Sequence, residues 1–354
     1  MIPSGYEGCN QVRIYNPAYL NGFRLSKMSS KSERMTPKQT EKELGWADVV
    51  VFHRPETKEY QALAELCKKD GKKIVVDNDD TFKLDDYHPL ANFTPDAKVN
   101  NLELRNNAMD KMVEMADLVT TSTEFLANEY RKINDNVVVL PNQINPDDWA
   151  TPLRNEKDKV RIGIVGSAAL EYDYLHVKEL IKKLSERDDV EIVMFGLGDM
   201  KHRKANPTVT KVFHDEYEFW DSIKMEQIPW CPAWQYSDIL NRARLDLMII
   251  PRKDNYFNRC KSNIKFLEAS LCEIPCIAQG FITGDSPYQD PEDQKYMKII
   301  INNDDWEKEI EELIQDKELR LKMGKSAHDY VLSRYDINNN YIKWLDAYES
   351  LFNN

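Results

Sequence analysis

Leu245-Asp-Leu-Met-Ile-Ile-Pro251-Arg-Lys-Asp-Asn-Tyr-Phe-Asn-Arg-Cys-Lys261-Ser-Asn-Ile-Lys-Phe-Leu-Glu268-Ala-Ser-Leu-Cys-Glu-Ile-Pro-Cys-Ile-Ala278 is the stretch whose pattern decides the fold. Its opening apolar run is too short for a helix and reads as a buried strand, and the polar segment after Pro251 reads as a loop. Ser262 and Asn263 then stand where a helix N-cap belongs, ahead of the apolar Ile264, Phe266 and Leu267. Cys276-Ile-Ala begins another strand. Strand, loop, helix and strand in succession form the unit of a parallel sheet covered by helices.

The same rhythm extends in both directions. Val160-Arg-Ile-Gly-Ile-Val-Gly-Ser predicts a strand, Tyr174 to Arg187 a helix, and Val190-Glu-Ile-Val-Met-Phe-Gly a strand. Trp220 to Trp234, with Pro229 and Pro232, reads as a loop rich in Pro and Trp. Further upstream, Trp46-Ala-Asp-Val-Val-Val-Phe-His-Arg-Pro predicts a strand, Thr57 to Lys69 a helix ended by Gly71, and Lys73-Ile-Val-Val-Asp a second strand. A long helix carrying Met109, Met112 and Met115 leads to the strand Asp117-Leu-Val-Thr-Thr-Ser. Ser122 or Thr123 caps the helix Glu124 to Lys132, and Val137-Val-Val-Leu-Pro-Asn is the next strand. The polar, Pro-bearing run from Pro146 to Asp158 reads as a linker, which divides the chain into residues 1–155 and 156–336. The closing helices span Lys317 to Ser333 and Ile337 to Phe352, the latter with Tyr341, Trp344, Leu345, Tyr348 and Leu351 on one face.

Composition fits two domains, since 354 residues hold about two cores of ordinary size. The net charge of -12 rules out a broad cationic surface for nucleic acid or anionic lipid. With 42% hydrophobic residues the chain is too apolar to be disordered, and no apolar run approaches the roughly 18 residues of a membrane helix. The N-terminus carries neither a basic nor an apolar leader, so the cytoplasm is the expected compartment. The six cysteines form no CxxC pair and no Cys/His cluster at zinc spacing, and read as buried thiols.

On residues alone the 251–268 segment has two readings of equal standing. In one, a helix N-terminus with Lys261 and Arg252 beside it binds a phosphate, and Glu268 accepts hydrogen bonds from a ribose diol. In the other it is a capped core helix with lysines reaching to water.

Lys261-Ser-Asn-Ile-Lys-Phe-Leu-Glu-Ala followed by Glu273-Ile-Pro-Cys-Ile-Ala resembles the donor-binding segment of the retaining family-four glycosyltransferases, which have the GT-B fold. Asp117-Leu-Val-Thr-Thr-Ser-Thr-Glu-Phe-Leu, Val139-Leu-Pro-Asn-Gln-Ile, Arg161-Ile-Gly-Ile-Val-Gly-Ser and Leu321-Lys-Met-Gly-Lys-Ser-Ala-His-Asp-Tyr-Val resemble other landmarks of that family, in the same order. The resemblance implies an α/β protein of two Rossmann-like domains facing each other across a cleft. Residues 1–155 would bind the acceptor, residues 156–336 a nucleotide-sugar such as a UDP-sugar, and helix 337–354 would pack back on the first domain. The activity implied is that of a hexosyltransferase, with retention at the anomeric carbon and no required cofactor.

By the same resemblance Lys261 neutralises the leaving diphosphate, Ser262 and Asn263 offer it main-chain donors, Glu268 holds the ribose, and Gly166 and Ser167 approach the phosphates or the sugar. The glycine-bearing segment with Gly8 and Asn10 corresponds to the acceptor loop. Three departures stand out. Cys260 occupies the place of the family's first glutamate, with Asp254 a nearby substitute; Gly166-Ser-Ala-Ala-Leu-Glu-Tyr-Asp lacks the usual cations, leaving Lys261 with Arg252 or Arg259; and Gly5-Tyr-Glu-Gly-Cys-Asn comes almost at the start, where related chains first have a strand.

Asp77-Asn-Asp79 is also a DxD pattern, the spacing at which other glycosyltransferases hold a divalent ion on the diphosphate. The preferred expectation has no metal and places Asp77, Asp79 and Asp80 at the acceptor edge of the first sheet. His53-Arg54 ends a strand at that edge, so His53 is a candidate acid or base and Arg54 a phosphate or acceptor contact; His88 and His214 are weaker candidates. Trp220, Trp230 and Trp234 are candidates to stack a sugar or base. The short basic runs, Lys201-His-Arg-Lys among them, read as solvated faces. A dehydrogenase is disfavoured because no GxGxxG follows a strand. A binding protein on a degenerate GT-B scaffold is the alternative that Cys260 motivates. The acceptor stays open among a glycan, a lipid-linked sugar, a wall polymer and a modified nucleobase in DNA.

Overall fold

The computed structural model describes residues 1–4, 7–26, 37–81, 83–84, 102–166, 170–196 and 214–353. Two parallel sheets carry the chain. The first has the order β1 (Val49–His53), β2 (Lys73–Asn78), β3 (Leu118–Thr121) and β4 (Val137–Val139). Its strands are apolar on both faces, as parallel strands covered by helices must be. Val50, Phe52, Ile74 and Val76 face one core with Met109, Met112 and Val113; Val51, Val75 and Leu118 face the other with Trp344, Tyr348 and Leu351 of the C-terminal helical segment. Ile2 adds a single parallel bridge at the outer edge of β1, its N–H donating to the Val51 carbonyl at 2.8 Å. One residue of pairing thus lies at the edge where the family resemblance led to the expectation of a leading strand.

The second sheet contains β5 (Val160–Val165), β6 (Val190–Phe195), β7 (Met225–Ile228), β8 (Leu247–Ile250), β9 (Cys276–Gln279) and β10 (Lys298–Ile300), in the order β10-β9-β8-β5-β6-β7. Sequence order reverses between β5 and β8, so the crevice outside their carboxyl ends is where an open α/β sheet offers a ligand site. Gly324 lets the helix Lys317–Tyr335 lie against the chain leaving Ile264–Leu271, because a Cβ there would fall 2.0 Å from the Glu273 carbonyl oxygen.

The chain passes between the halves twice, and the two crossings lie side by side. Ile144 N–H donates to the Tyr335 carbonyl at 2.9 Å and Ile337 N–H donates to the Ile144 carbonyl at 2.8 Å. A second tie is the short helix Tyr256–Arg259, whose neighbour Cys260 is wholly buried in the first half's core. Among the described residues no helix is long and apolar enough to cross a membrane.

Several sequence expectations need correction. Trp220–Trp234 is not a loop: Trp220 is buried at the end of the helix His214–Ser222, and β7 follows. Met225-Glu-Gln-Ile is an edge strand, half exposed, and so lacks the apolar run that marks its neighbours. Trp230 and Trp234 do lie exposed. The helix expected over 174–187 is two, Glu171–Leu175 and Lys178–Ser185, and that over 337–352 is Ile337–Asn340, Ile342–Glu349 and a final 3-10 turn. Thr123, rather than Ser122, caps Glu124–Tyr130, accepting from Leu126 N–H at 3.3 Å.

Candidate functional site

The donor-side candidates sit on the loops leaving β5 and β8 and, for Glu268, on the helix Ile264–Leu271 that follows. Gly166 follows β5 directly, and a Cβ there would come 2.4 Å from Leu170 Cδ1, so a side chain at this position would require the Leu170 side chain to move. Ser167 lies outside the described residues, as does His88. Arg252, the second residue after β8, is buried. One Nη donates to the Asp173 carboxylate at 3.1 Å, the other to the Tyr288 hydroxyl at 3.3 Å, and Nε has no partner. Asp173 also accepts from Lys253 N–H at 2.9 Å and from Asn258 Nδ2 at 2.8 Å. Burial raises the Asp173 carboxyl above its ordinary range despite these donors.

Lys261 reaches across to the first half, where its Nζ donates to Asp80 Oδ2 at 2.6 Å, and its ammonium lies 4.0 Å from the centre of the Phe257 ring. Ser262 Oγ accepts from Asn142 Nδ2 at 2.9 Å, a second contact between the halves. The expected side-chain cap does not form. Asn263 occupies the N-cap position of Ile264–Leu271, yet its amide donates instead to Asp293 at 2.5 Å, a carboxylate held also by Tyr330 and Tyr335. No side chain therefore caps the first turn of this helix. Glu268 accepts from Tyr236 Oη and Lys265 Nζ, both at 2.8 Å.

The acceptor-side candidates gather at the carboxyl ends of β1 and β2. Asp77 is fully buried and takes both Nε and Nη2 of Arg13, at 3.0 and 2.6 Å, with the Thr120 hydroxyl at 2.7 Å. Arg13, also fully buried, further donates to the Leu140 carbonyl. His53 is buried: Nδ1 lies 2.8 Å from Asn10 Oδ1 and Nε2 3.3 Å from Asp79 Oδ1. Asn10 is pinned by exchange with Ser4, and Gly8 is exposed nearby in the chain. His53 thus orients Asp79 and is itself shielded from bulk solvent.

Arg54 adopts φ 47°, a left-handed conformation that costs a side-chain-bearing residue of order 1 kcal/mol. Its guanidinium meets the two carboxylates just beyond β2, with Nε 2.6 Å from Asp79 and Nη2 3.1 Å from Asp80. Burial alone would raise the Asp79 carboxyl, but Arg54 and His53 outweigh it and hold it well below the usual carboxylate range. A depressed carboxyl contributes stability that is fully present above about pH 4 and lost as pH falls through the folded value. Asp79→Asn should therefore unfold more readily at pH 7 and show a shallower loss of stability on acidification below about pH 4, checked by urea titration at several pH values. The carboxylates of the DxD pattern are committed to arginines: Asp77 to Arg13 and Asp79 to Arg54.

Sequence reasoning missed Arg13 and Asp173. Both are known by partners distant in sequence, although the absence of a cation after β5 pointed to a neighbouring loop as the source of positive charge. Cys260, at the place where the resemblance leads one to expect a glutamate, has its thiol pushed up to about 12 by burial, reinforced by Asp80. It is neither nucleophile nor acid near neutral pH.

An open sheet reversing at β5 and β8, joined by a paired crossing to a second parallel sheet, defines a GT-B protein. The chain belongs to the glycosyl transferase-like family, whose model matches residues 156–346. It is similar in structure to sucrose-phosphate synthase from Thermosynechococcus elongatus (11% identity, TM-score 0.60, 89% of this chain and 76% of that one). It is similar also to HepE from Anabaena, solved with UDP and glucose (11%, 0.59, 93% and 88%), and to WaaG, a glycosyltransferase involved in lipopolysaccharide biosynthesis (15%, 0.51, 80% and 80%). No curated protein matches.

Proposed function

We propose that this glycosyltransferase moves a hexose from a nucleoside diphosphate sugar, held in the β5/β8 crevice by residues 156–336, to a hydroxyl of an acceptor held by residues 1–155. The observation that carries this reading is the pairing, on the single loop leaving β8, of a buried Arg252 with an unpartnered Nε and a Lys261 at the mouth of an uncapped helix. Breaking the anomeric C–O bond builds negative charge on the departing diphosphate. Positive groups fixed beforehand stabilise that charge more in the transition state than in the ground state. The diphosphate competes with Asp80 for Lys261, while Arg252 stays aimed by Asp173 and Tyr288. Asp79 and Asp80 face the acceptor side, and retention is part of the proposal through the family resemblance.

Lys261→Ala tests this directly. Nucleotide release from UDP-glucose should fall by about 100-fold or more, the scale on which a single preorganised donor acts. The fold should survive, because Asp80 keeps Arg54. Turnover equal to wild type would sink the role of Lys261. The buried Cys260 favours a second reading, a non-catalytic nucleotide-sugar binder; wild-type protein that binds UDP-glucose and never releases UDP would establish it.

A further inference from the structure

The ammonium proposed for the leaving diphosphate is already occupied, and its occupant comes from the other half of the chain. Lys261 Nζ donates to Asp80 Oδ2 at 2.6 Å, with the two side chains 21% and 12% exposed. Asp80 does not depend on that contact. The same Oδ2 accepts from Arg54 Nη2 at 3.1 Å, and Oδ1 accepts from Thr81 N–H at 2.9 Å. The carboxylate therefore keeps two donors when the lysine leaves. Nor does Lys261 alone join the halves. The Tyr256 hydroxyl donates to Glu129 at 3.1 Å and its ring meets Phe125 edge-on, Cys260 is buried in the first half's core, and Ser262 accepts from Asn142 at 2.9 Å. The backbone on either side of Lys261 is thus anchored, so the lysine can change partners by swinging its side chain, without parting the halves.

We infer that Asp80 is a positioning residue that gates the donor site: it withholds Lys261 from an empty site and yields it to a diphosphate, whose charge exceeds that of a single carboxylate. The inference rests on the assignment of Lys261 to the diphosphate and adds what regulates that site. A carboxylate that must be displaced lowers the apparent affinity by the fraction of molecules in which the lysine is free. A lysine free in about one molecule in ten gives a reduction of about tenfold.

Removing the gate should strengthen binding, which the loss of a merely structural contact would not do. Whichever of UDP, GDP, ADP and CDP the wild type binds tightest by calorimetry should bind Asp80→Asn about tenfold tighter, and Asp80→Ser should shift it in the same direction. Both variants leave Arg54 paired with Asp79 at 2.6 Å, which preserves the fold. The gain should need the lysine. In the Lys261→Ala background, titrated at millimolar nucleotide, Asp80→Asn should change the affinity by less than about twofold, because the two side chains act as one pair. Affinity unchanged or weakened in both Asp80 variants would overturn the inference. So would a tenfold gain that persists without Lys261, since it would report only the loss of a nearby negative charge. The donor reading is judged separately: a nucleotide that binds the wild type and is lost from Lys261→Ala upholds it even where the Asp80 variants gain nothing. No binding of any of the four nucleotides to any of the proteins would overturn both.

Discussion

Arg252→Lys is expected to cut turnover with a nucleoside diphosphate sugar by about 100- to 1,000-fold while the protein stays folded. The reason lies in the fork. Arg252 divides its two Nη groups between Asp173 and Tyr288, which fixes the plane of the guanidinium and leaves Nε unpartnered in a buried site. A lysine preserves the charge and can satisfy Asp173, but a single ammonium cannot hold Asp173 and still present a donor along the direction of Nε. Arg252→Ala differs, because it leaves the buried Asp173 without its ionic partner and should destabilise the protein by about 3–5 kcal/mol. Comparing the lysine variant by nucleotide release and both variants by urea unfolding separates the chemical role from the structural one. A fully active Arg252→Lys would mean that Arg252 is only a strut for Asp173.

Arg13→Met should cost about 3–5 kcal/mol of stability by urea unfolding. Both members of the Arg13–Asp77 pair are fully buried, and the guanidinium meets the carboxylate through two nitrogens. Removing the cation strands a carboxylate in the first half's interior, with the Thr120 hydroxyl as its remaining close donor. The double variant Arg13→Met/Asp77→Leu should recover much of the loss, since replacing a buried pair with apolar groups is often close to neutral. A single variant as stable as wild type would show that Asp77 is not held as described.

Much of this architecture could be read from the residues, and where it could not the reason is physical. Strands such as Val49–His53 and Val160–Val165 are buried on both faces, so parallel pairing writes them as unbroken apolar runs. The face of Tyr341, Trp344 and Tyr348 was equally plain, because a helix lying on a sheet must be apolar along one side. Met225–Ile228 escaped notice because an edge strand with two polar residues of four leaves no such signature. At the site, Arg252 and Lys261 were visible from their place beside a helix start. What held them was not: Asp173 is 79 positions from Arg252, and Asp80 is 181 from Lys261. His53 was legible as a strand-end residue, but a sequence does not state that Asn10 and Asp79 enclose it. The N-cap expectation failed at Asn263 because Asp293, thirty positions downstream, supplies a charged acceptor that the helix end cannot match.

The most direct measurement is a thermal-shift titration of the wild type and Lys261→Ala with UDP, GDP, ADP and CDP, each with and without EDTA. A ligand at a hundred times its dissociation constant adds about 2.7 kcal/mol, enough to raise the midpoint by several degrees. The account predicts that one nucleotide does this for the wild type, that EDTA leaves the shift intact, and that Lys261→Ala abolishes most of it. No shift with any nucleotide, or an equal shift in the variant, would contradict the assignment of the β5/β8 crevice and Lys261 to the donor diphosphate.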